Sequence, residues 1–192
     1  FYKERIIMRL LLHICCAPCA VAIVDTLKGR HDMVLHGFFH NPNIHPFEEF
    51  KKRKESVITM AGHYDLPVAY FDEYRLEYWK ESLNTDKARR CRTCYALRIE
   101  NIARFAKEND FEAFTTSLLI SPYQDHDLIK ELGFSAAEKY GLIFHYEDFR
   151  PLYRRGREIS RARHYYMQKY CGCFYSYGES DHPKKPIYNF ED

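Results

Sequence analysis

The stretch Arg9-Leu-Leu-Leu-His-Ile-Cys-Cys-Ala-Pro-Cys19 decides the fold class of this chain. Its first six residues form a short apolar run that is typical of a buried strand. Ala17 and Pro18 then begin a predicted helix that extends to Leu27, because proline is favoured in a first helical turn. A buried strand that leads at once into a helix indicates a βα unit.

The rest of the chain repeats this alternation. Predicted strands lie at 33–39, 68–71, 113–120 and 142–145, and predicted helices at 46–63, 76–83, 91–108, 125–140 and 156–170. Strands that alternate with helices build parallel sheets with helices on both faces. The sequence therefore predicts an α/β fold, a three-layer sandwich with a mostly parallel sheet.

Length and composition favour one catalytic domain that spans residues 1–192. Of the 192 residues, 46% are hydrophobic and 29% charged, with a net charge of +2, as in an ordinary globular protein. Arg9, His13 and Pro18 interrupt the apolar run at 6–24, so we expect no membrane span and no membrane partner. A cytoplasmic location is the default expectation, because the cysteine spacings suit metals better than secreted disulfides.

The seven cysteines fall into three tight groups, and all seven are predicted metal ligands. Two groups contain the CxxC spacing, and Gly172 allows the tight backbone that a CxC chelate needs. At the start of the first helix, the helix dipole is expected to lower the thiol pKa values. Neighbours in a strand point to opposite faces, so Cys15 and Cys16 are expected to point apart. The groups are Cys15, Cys16 and Cys19; Cys91 and Cys94; Cys171 and Cys173.

This number of thiols exceeds the need of one metal centre. A 4Fe–4S cluster takes four thiolates. The other three could bind a second, mononuclear metal, help to deliver electrons, or be buried. Two CxxC pairs could instead form a zinc site that only stabilises the domain. Zinc would not need a third cysteine group, which favours iron.

Five segments resemble the signature of QueH-type epoxyqueuosine reductases, in the same order along the chain. They are Leu11–Cys19, Asn41–Pro46, Cys91–Arg98, Thr115–Gln124 and Tyr170–Cys173. The resemblance implies an enzyme of queuosine biosynthesis that converts epoxyqueuosine at the wobble position of tRNA to queuosine. It also implies a fold similar to the PP-loop nucleotide-binding sandwiches. The phosphate-binding glycines of those enzymes are missing after the first strand, so ATP use is not expected.

The implied reaction removes the epoxide oxygen as water, which takes two electrons and two protons. An external electron donor is expected, and an iron with an open position could act as a Lewis acid. Our hypothesis assigns the 4Fe–4S cluster mainly to Cys16, Cys91, Cys94 and Cys173. An adjacent mononuclear iron would then lie near Cys15, Cys19 and Cys171.

Four side chains are candidate proton donors: His13, His45, Asp86 and Tyr123. His13 could equally be a core histidine, and Asp86 a solvated loop carboxylate. Three amides after predicted strands are candidates for binding the substrate: Asn41, Asn43 and Gln124. Sites in open parallel sheets form beyond the carboxyl ends of the strands, where these segments should meet.

Basic residues flank two of the cysteine groups and predict binding of tRNA phosphates. The candidates are Arg89, Arg90, Arg92, Arg154, Arg155 and Arg157. A third basic run, Lys51–Lys54, is interpreted as a solvated helix face. Two alternatives to the reductase remain open: a PP-loop-type enzyme that thiolates tRNA with an iron–sulfur cluster, and a non-catalytic zinc-stabilised RNA-binding module.

Overall fold

A computed structural model describes residues 7–74 and 86–180 of the chain. Its centre is a sheet of five parallel strands in the order β3-β2-β1-β4-β5. This order is that of doubly wound nucleotide-binding sheets, in which the direction of winding reverses beside β1. The strands are β1 Met8–His13, β2 Met33–His40, β3 Val68–Phe71, β4 Ala113–Thr116 and β5 Ile143–Phe144.

Helices cover both faces of the sheet and make the three predicted layers. On one face α1 packs against α2 and α5, and on the other α3 packs against α4. The α/β sandwich with a parallel sheet is thereby confirmed. The helices are α1 Ala17–Lys28, α2 Phe47–His63, α3 Lys87–Glu108, α4 His126–Tyr140, α5 Tyr153–Ala162 and α6 Phe174–Glu179.

The central strand β1 is the best-buried part of the core. Leu10, Leu11 and Leu12 are at most 1% exposed, because the strand has neighbours on both sides and helices on both faces. The apolar run therefore ends at the middle of the sheet's carboxyl edge, where Cys15 and Cys16 follow. This topology carries the first cysteine group to the switch point of the sheet.

Two predicted elements are too long. The predicted strand 113–120 ends at Thr116, and Ser117–Ile120 form a 3-10 turn. The Thr116 hydroxyl accepts a hydrogen bond from Leu118 N–H at 3.2 Å, which caps that turn. The predicted helix 156–170 ends at Ala162, with His164 at a φ of +56°. The segment between Ala162 and the last cysteine pair is therefore not helical.

The remaining predictions agree with the structure to within a few residues at their ends. The central helix begins at Lys87 rather than at residue 91, because the Asp86 side chain caps it by accepting from Arg89 N–H at 2.8 Å. The helix predicted at 76–83 lies outside the described residues. Among the helices that the structure describes, none combines the length and the apolar composition needed to cross a membrane.

Candidate metal centre and active site

The first cysteine group forms a triad of sulfur atoms between β1 and α1. The Sγ atoms of Cys15, Cys16 and Cys19 all lie within 4.8 Å of one another. Tetrahedral thiolates around one ion with bonds of about 2.3 Å would lie about 3.8 Å apart. Cys15 Sγ and Cys16 Sγ are separated by 3.7 Å. The triad could therefore hold a metal ion.

This geometry corrects the expectation that Cys15 and Cys16 point apart. β1 ends at His13, and Cys16 is the N-cap of α1, so the alternation of a strand no longer applies to these two residues. The grouping also differs from the division expected from the sequence. Cys16 lies with Cys15 and Cys19, whereas the hypothesis from the sequence groups it with Cys91, Cys94 and Cys173.

Cys15 differs from the other two thiols of the triad in its hydrogen bonds and its pKa. Hydrogen bonds from Cys16, Cys19 and Ser117 hold the pKa of Cys15 well below its usual value. Burial raises the pKa of Cys16, and the hydrogen bond with Cys15 raises that of Cys19. The expected lowering at the helix N-terminus is therefore wrong for these two thiols, since desolvation and the neighbouring thiolate outweigh the helix dipole.

The other four cysteines are called here the quartet: Cys91, Cys94, Cys171 and Cys173. Their charges interact, because negative charge on Cys171 and Cys173 adds to burial in raising the pKa of Cys91 and that of Cys94, the latter to about 12. Cys91 and Cys94 lie one turn apart on α3. A 4Fe–4S cluster needs four thiolates around it, and the quartet supplies that number.

The segment that carries the last two cysteines is anchored to α2 by Arg53. Its guanidinium donates to the carbonyl oxygens of Tyr170 and Cys171, each at 2.9 Å, and to Glu49 Oε1 at 2.7 Å. Arg53 is 2% exposed. The interpretation of Lys51–Lys54 as a wholly solvated face is therefore wrong for Arg53, which turns inward. His45 N–H donates to the Gly172 carbonyl oxygen at 2.8 Å.

A cavity of about 340 Å³ opens at this edge of the sheet, within the size range of small-molecule sites. The thiols that line it come from both groups. Cys15 and Cys19 belong to the triad, and Cys171 belongs to the quartet. Two amides face thiols there, with Gln124 Nε2 at 3.5 Å from Cys171 Sγ and Gln168 Nε2 at 3.5 Å from Cys19 Sγ. Further lining residues are Arg53, Arg98, Ser117, Tyr123, Tyr153, Arg157, Lys169 and Tyr170.

The four candidate proton donors lie in different surroundings. Tyr123 lines the cavity and is 81% exposed. His13 and His45 are at most 1% exposed; burial and the charge of Arg98 lower the pKa of His13 to about 3, and its Nδ1 lies 3.0 Å from Thr116 Oγ1. Asp86 is the helix cap described above.

The three candidate amides also lie in different surroundings. Gln124 lines the cavity, and its Oε1 accepts a hydrogen bond from the Tyr95 hydroxyl at 2.6 Å. Asn41 is buried and donates to the Ile14 carbonyl oxygen at 2.8 Å, which ties the loop after β2 to the end of β1. Asn43 is buried with no hydrogen-bond partner for its amide among the described residues.

Most of the candidate phosphate-binding arginines already have acidic partners. Arg90 pairs with Glu179, Arg92 with Glu131, Arg154 with Glu158 and Arg155 with Asp25. Arg89 is exposed in the first turn of α3. Arg157 lines the cavity, with its guanidinium carbon 5.8 Å from the ring centroid of Tyr153.

Comparison with known proteins identifies the family. A family model described as epoxyqueuosine reductase QueH matches residues 10–179. The chain belongs to the epoxyqueuosine reductase QueH family. It is 38% identical over 179 residues to the epoxyqueuosine reductase QueH of Acinetobacter baylyi, covering 88% of this chain and 80% of that one. It is 33% identical over 175 residues to that of Thermotoga maritima, covering 86% and 88%.

Membership of the QueH family confirms the resemblance seen in the five sequence segments. A solved structure, the U34-tRNA thiolase NcsA from Methanococcus maripaludis with its [4Fe-4S] cluster, is 12% identical to this chain. The match covers 89% of this chain and 78% of the NcsA chain, with a TM-score of 0.44. Similarity of that degree carries no conclusion about the present chain.

Several polar residues of the site were missed from the sequence, among them Arg53, Arg98, Ser117, Gln168 and Lys169. Arg53 stands in a run of basic residues that looks solvent-exposed. Gln168 lies within the predicted helix 156–170 but beyond the observed end of that helix at Ala162. Arg98 had a usable signal, because it lies four residues after Cys94 on one helix, where side chains are neighbours.

Proposed function

We propose that this chain is an oxidoreductase that converts epoxyqueuosine to queuosine at the wobble position of tRNA. Two electrons from an external donor and two protons would remove the epoxide oxygen as water. The observation that carries the proposal is the cavity of about 340 Å³ lined by thiols of both cysteine groups. In a member of the QueH family, a concave site beside seven cysteines is the natural place for the substrate.

The donor sets fit the expected metals. The quartet would hold a 4Fe–4S cluster, since it offers four thiolates from two segments. The triad would hold a single iron, because its sulfur spacing suits one ion. When bound, these groups would supply single electrons and Lewis acidity. The thiols of a metal-free protein would lose their protons on binding.

The chain's own residues would orient and protonate the substrate. The Tyr95 hydroxyl fixes the Gln124 amide, so Nε2 points to Cys171 and the amide is held at the cavity wall. Tyr123 is the candidate proton donor that lines the cavity. Tyr123 and Tyr153, whose ring centroids lie 6.0 Å apart, offer surfaces on which an extruded wobble base could stack.

Arg157 and Lys169 would bind tRNA phosphates beside the cavity, since both line it. An anticodon loop presents bases that are already partly unstacked, so extrusion of one base into a pocket is energetically accessible. Family membership favours this reductase over a tRNA-thiolating enzyme or a zinc-stabilised RNA-binding module. A cytoplasmic location would give access to tRNA and to a reductant.

The test is anaerobic reconstitution with iron and sulfide, followed by reduction and assay of tRNA for loss of the epoxide oxygen. The proposal expects conversion by the reconstituted chain and no conversion by Cys91→Ser or Cys19→Ser. Reconstitution with zinc in place of iron is the matched control and should give a colourless, inactive protein. Conversion that persists in the zinc-loaded protein would contradict the proposal.

A further inference from the structure

Arg98 is a buried cation between the two cysteine groups. It is 3% exposed and lies on α3, one turn after Cys94. Its Nη2 lies 3.1 Å from Cys94 Sγ, and its Nε donates to the Cys94 carbonyl oxygen at 3.0 Å. The same side chain lines the cavity together with Cys15 and Cys171.

The orientation of this guanidinium is fixed from two sides. The bond to the Cys94 carbonyl holds Nε, and the Tyr95 ring lies under the guanidinium, 5.8 Å from its carbon to the ring centroid. Tyr95 is itself bound to Gln124 at the cavity wall. The N–H group at Nη2 is thereby directed at one sulfur atom rather than free to choose another acceptor.

The cysteine sulfurs are the main electrostatic partners of the Arg98 guanidinium, which bonds Cys94 Sγ directly. Burial alone would lower the pKa of Arg98, but the charges of Cys94, Cys171 and Cys15 raise it overall. A buried cation is costly unless it is paired. Arg98 therefore places a buried positive charge directly beside the Cys94 sulfur.

We propose that Arg98 is a positioning residue that donates a charge-assisted hydrogen bond to Cys94 and raises the reduction potential of the iron–sulfur centre. This inference rests on the proposed function, in which Cys94 is a cluster ligand. Hydrogen bonds to ligand sulfurs, net charge and solvent exposure set the potential of such clusters. One-electron reduction adds one negative charge, and a fixed buried cation stabilises that added charge more than the oxidised form.

The test uses the reconstituted full chain and two variants of Arg98. Arg98→Met removes the cation and the hydrogen bond and leaves an unbranched apolar side chain. Arg98→Lys keeps a cation but loses the planar fork that reaches Sγ and the carbonyl together. Iron and sulfide are counted, and the midpoint potential is measured by dithionite titration followed by electron paramagnetic resonance.

We expect the midpoint potential to become more negative in Arg98→Met and to fall between that value and wild type in Arg98→Lys. Arg104→Met is the matched control, because Arg104 is an exposed arginine on the same helix whose guanidinium bonds Asn101. Its midpoint should equal that of wild type. A wild-type midpoint in Arg98→Met, or a shift no larger than that of Arg104→Met, would overturn the proposal.

If Arg98→Met binds no iron, Arg98→Lys decides the matter, and a wild-type midpoint in it would reject the directed hydrogen bond. Failure of the proposed function looks different. In that case the wild-type chain itself would show no iron–sulfur signal after reconstitution. A wild-type signal with unchanged variants rejects only the role of Arg98.

Discussion

Gly172 is the residue on which the last cysteine pair depends most directly. Its φ is +122°, a conformation that side chains rarely adopt, and a Cβ placed there would lie 2.8 Å from Arg53 Nη1. Because Arg53 is itself buried and bonded to two carbonyl oxygens of this segment, it has little room to move. The backbone conformation at position 172 and the nearby Arg53 guanidinium therefore both disfavour any residue larger than glycine there.

We predict that Gly172→Ala lowers the iron content of the reconstituted protein. The added methyl group displaces the segment, and strain of at least about 1 kcal/mol falls on the pair Cys171 and Cys173. Iron and sulfide analysis measures the effect. Gly62→Ala is the control, because nothing lies within 4 Å of a Cβ at that position on α2. Full iron content in Gly172→Ala would show that the segment tolerates the displacement.

Arg53 and Glu49 form a buried ion pair whose partners should be strongly coupled. Arg53→Met leaves the Glu49 carboxylate buried without its cation, so we expect a loss of about 3 kcal/mol in the free energy of unfolding. Glu49→Gln combined with Arg53→Met removes both charges and should recover part of that loss. Urea unfolding of the metal-free protein measures Arg53→Met, Glu49→Gln and the double variant. Additive losses in the double variant would argue against coupling.

The cysteine grouping was predictable in part. Spacing alone indicated metal ligands, but the division into triad and quartet was not visible, because it depends on where β1 stops and which way Cys16 turns. Arg53 was unpredictable for a similar reason. Arg53 is held inside by hydrogen bonds to the carbonyl oxygens of Tyr170 and Cys171, which lie far along the chain.

At the scale of elements, the close crossing of α5 over α1 holds the triad in place. A Cβ at Gly156 would lie 2.7 Å from the Pro18 carbonyl oxygen, which is in the first turn of α1. Backbone cannot retreat as a side-chain tip can, so the two helices would have to separate. That separation would move the turn that carries Cys16 and Cys19.

We therefore predict that Gly156→Ala destabilises the protein by about 1–3 kcal/mol, although alanine favours helix formation over glycine. Urea unfolding measures the change. Arg161→Ala, at an exposed position of the same helix, should leave the free energy of unfolding nearly unchanged. A more stable Gly156→Ala protein would mean that helix propensity outweighs the contact with α1.

Element order and strand positions followed from the sequence, because apolar runs of strand length alternate with helical patterns. The ends did not follow. β4 stops at Thr116, whose side chain accepts a hydrogen bond from Leu118 N–H, and α5 stops at Ala162 although the predicted helix extends to residue 170. Tyr165 and Tyr166 instead bond His63 and Glu49 of α2. Local patterns cannot show such tertiary partners.

At the scale of the whole molecule, tRNA binding should depend on salt. We predict that affinity falls steeply between low and moderate salt, because phosphate contacts release counterions. Arg157→Ala and Lys169→Ala should each reduce the slope of log affinity against log salt by about 1. Filter binding or fluorescence anisotropy measures these slopes. Affinity that does not change with salt would remove the basic residues beside the cavity from the account.

The division of the thiols into two metal sites is tested most directly by metal stoichiometry. Anaerobically reconstituted protein should contain about five irons and four sulfides per chain, with one 4Fe–4S cluster in the quartet and one iron in the triad. Cys94→Ser should lose the sulfide, whereas Cys19→Ser should keep all the sulfide and lose about one iron. Loss of the sulfide in Cys19→Ser, with full retention in Cys94→Ser, would contradict the account.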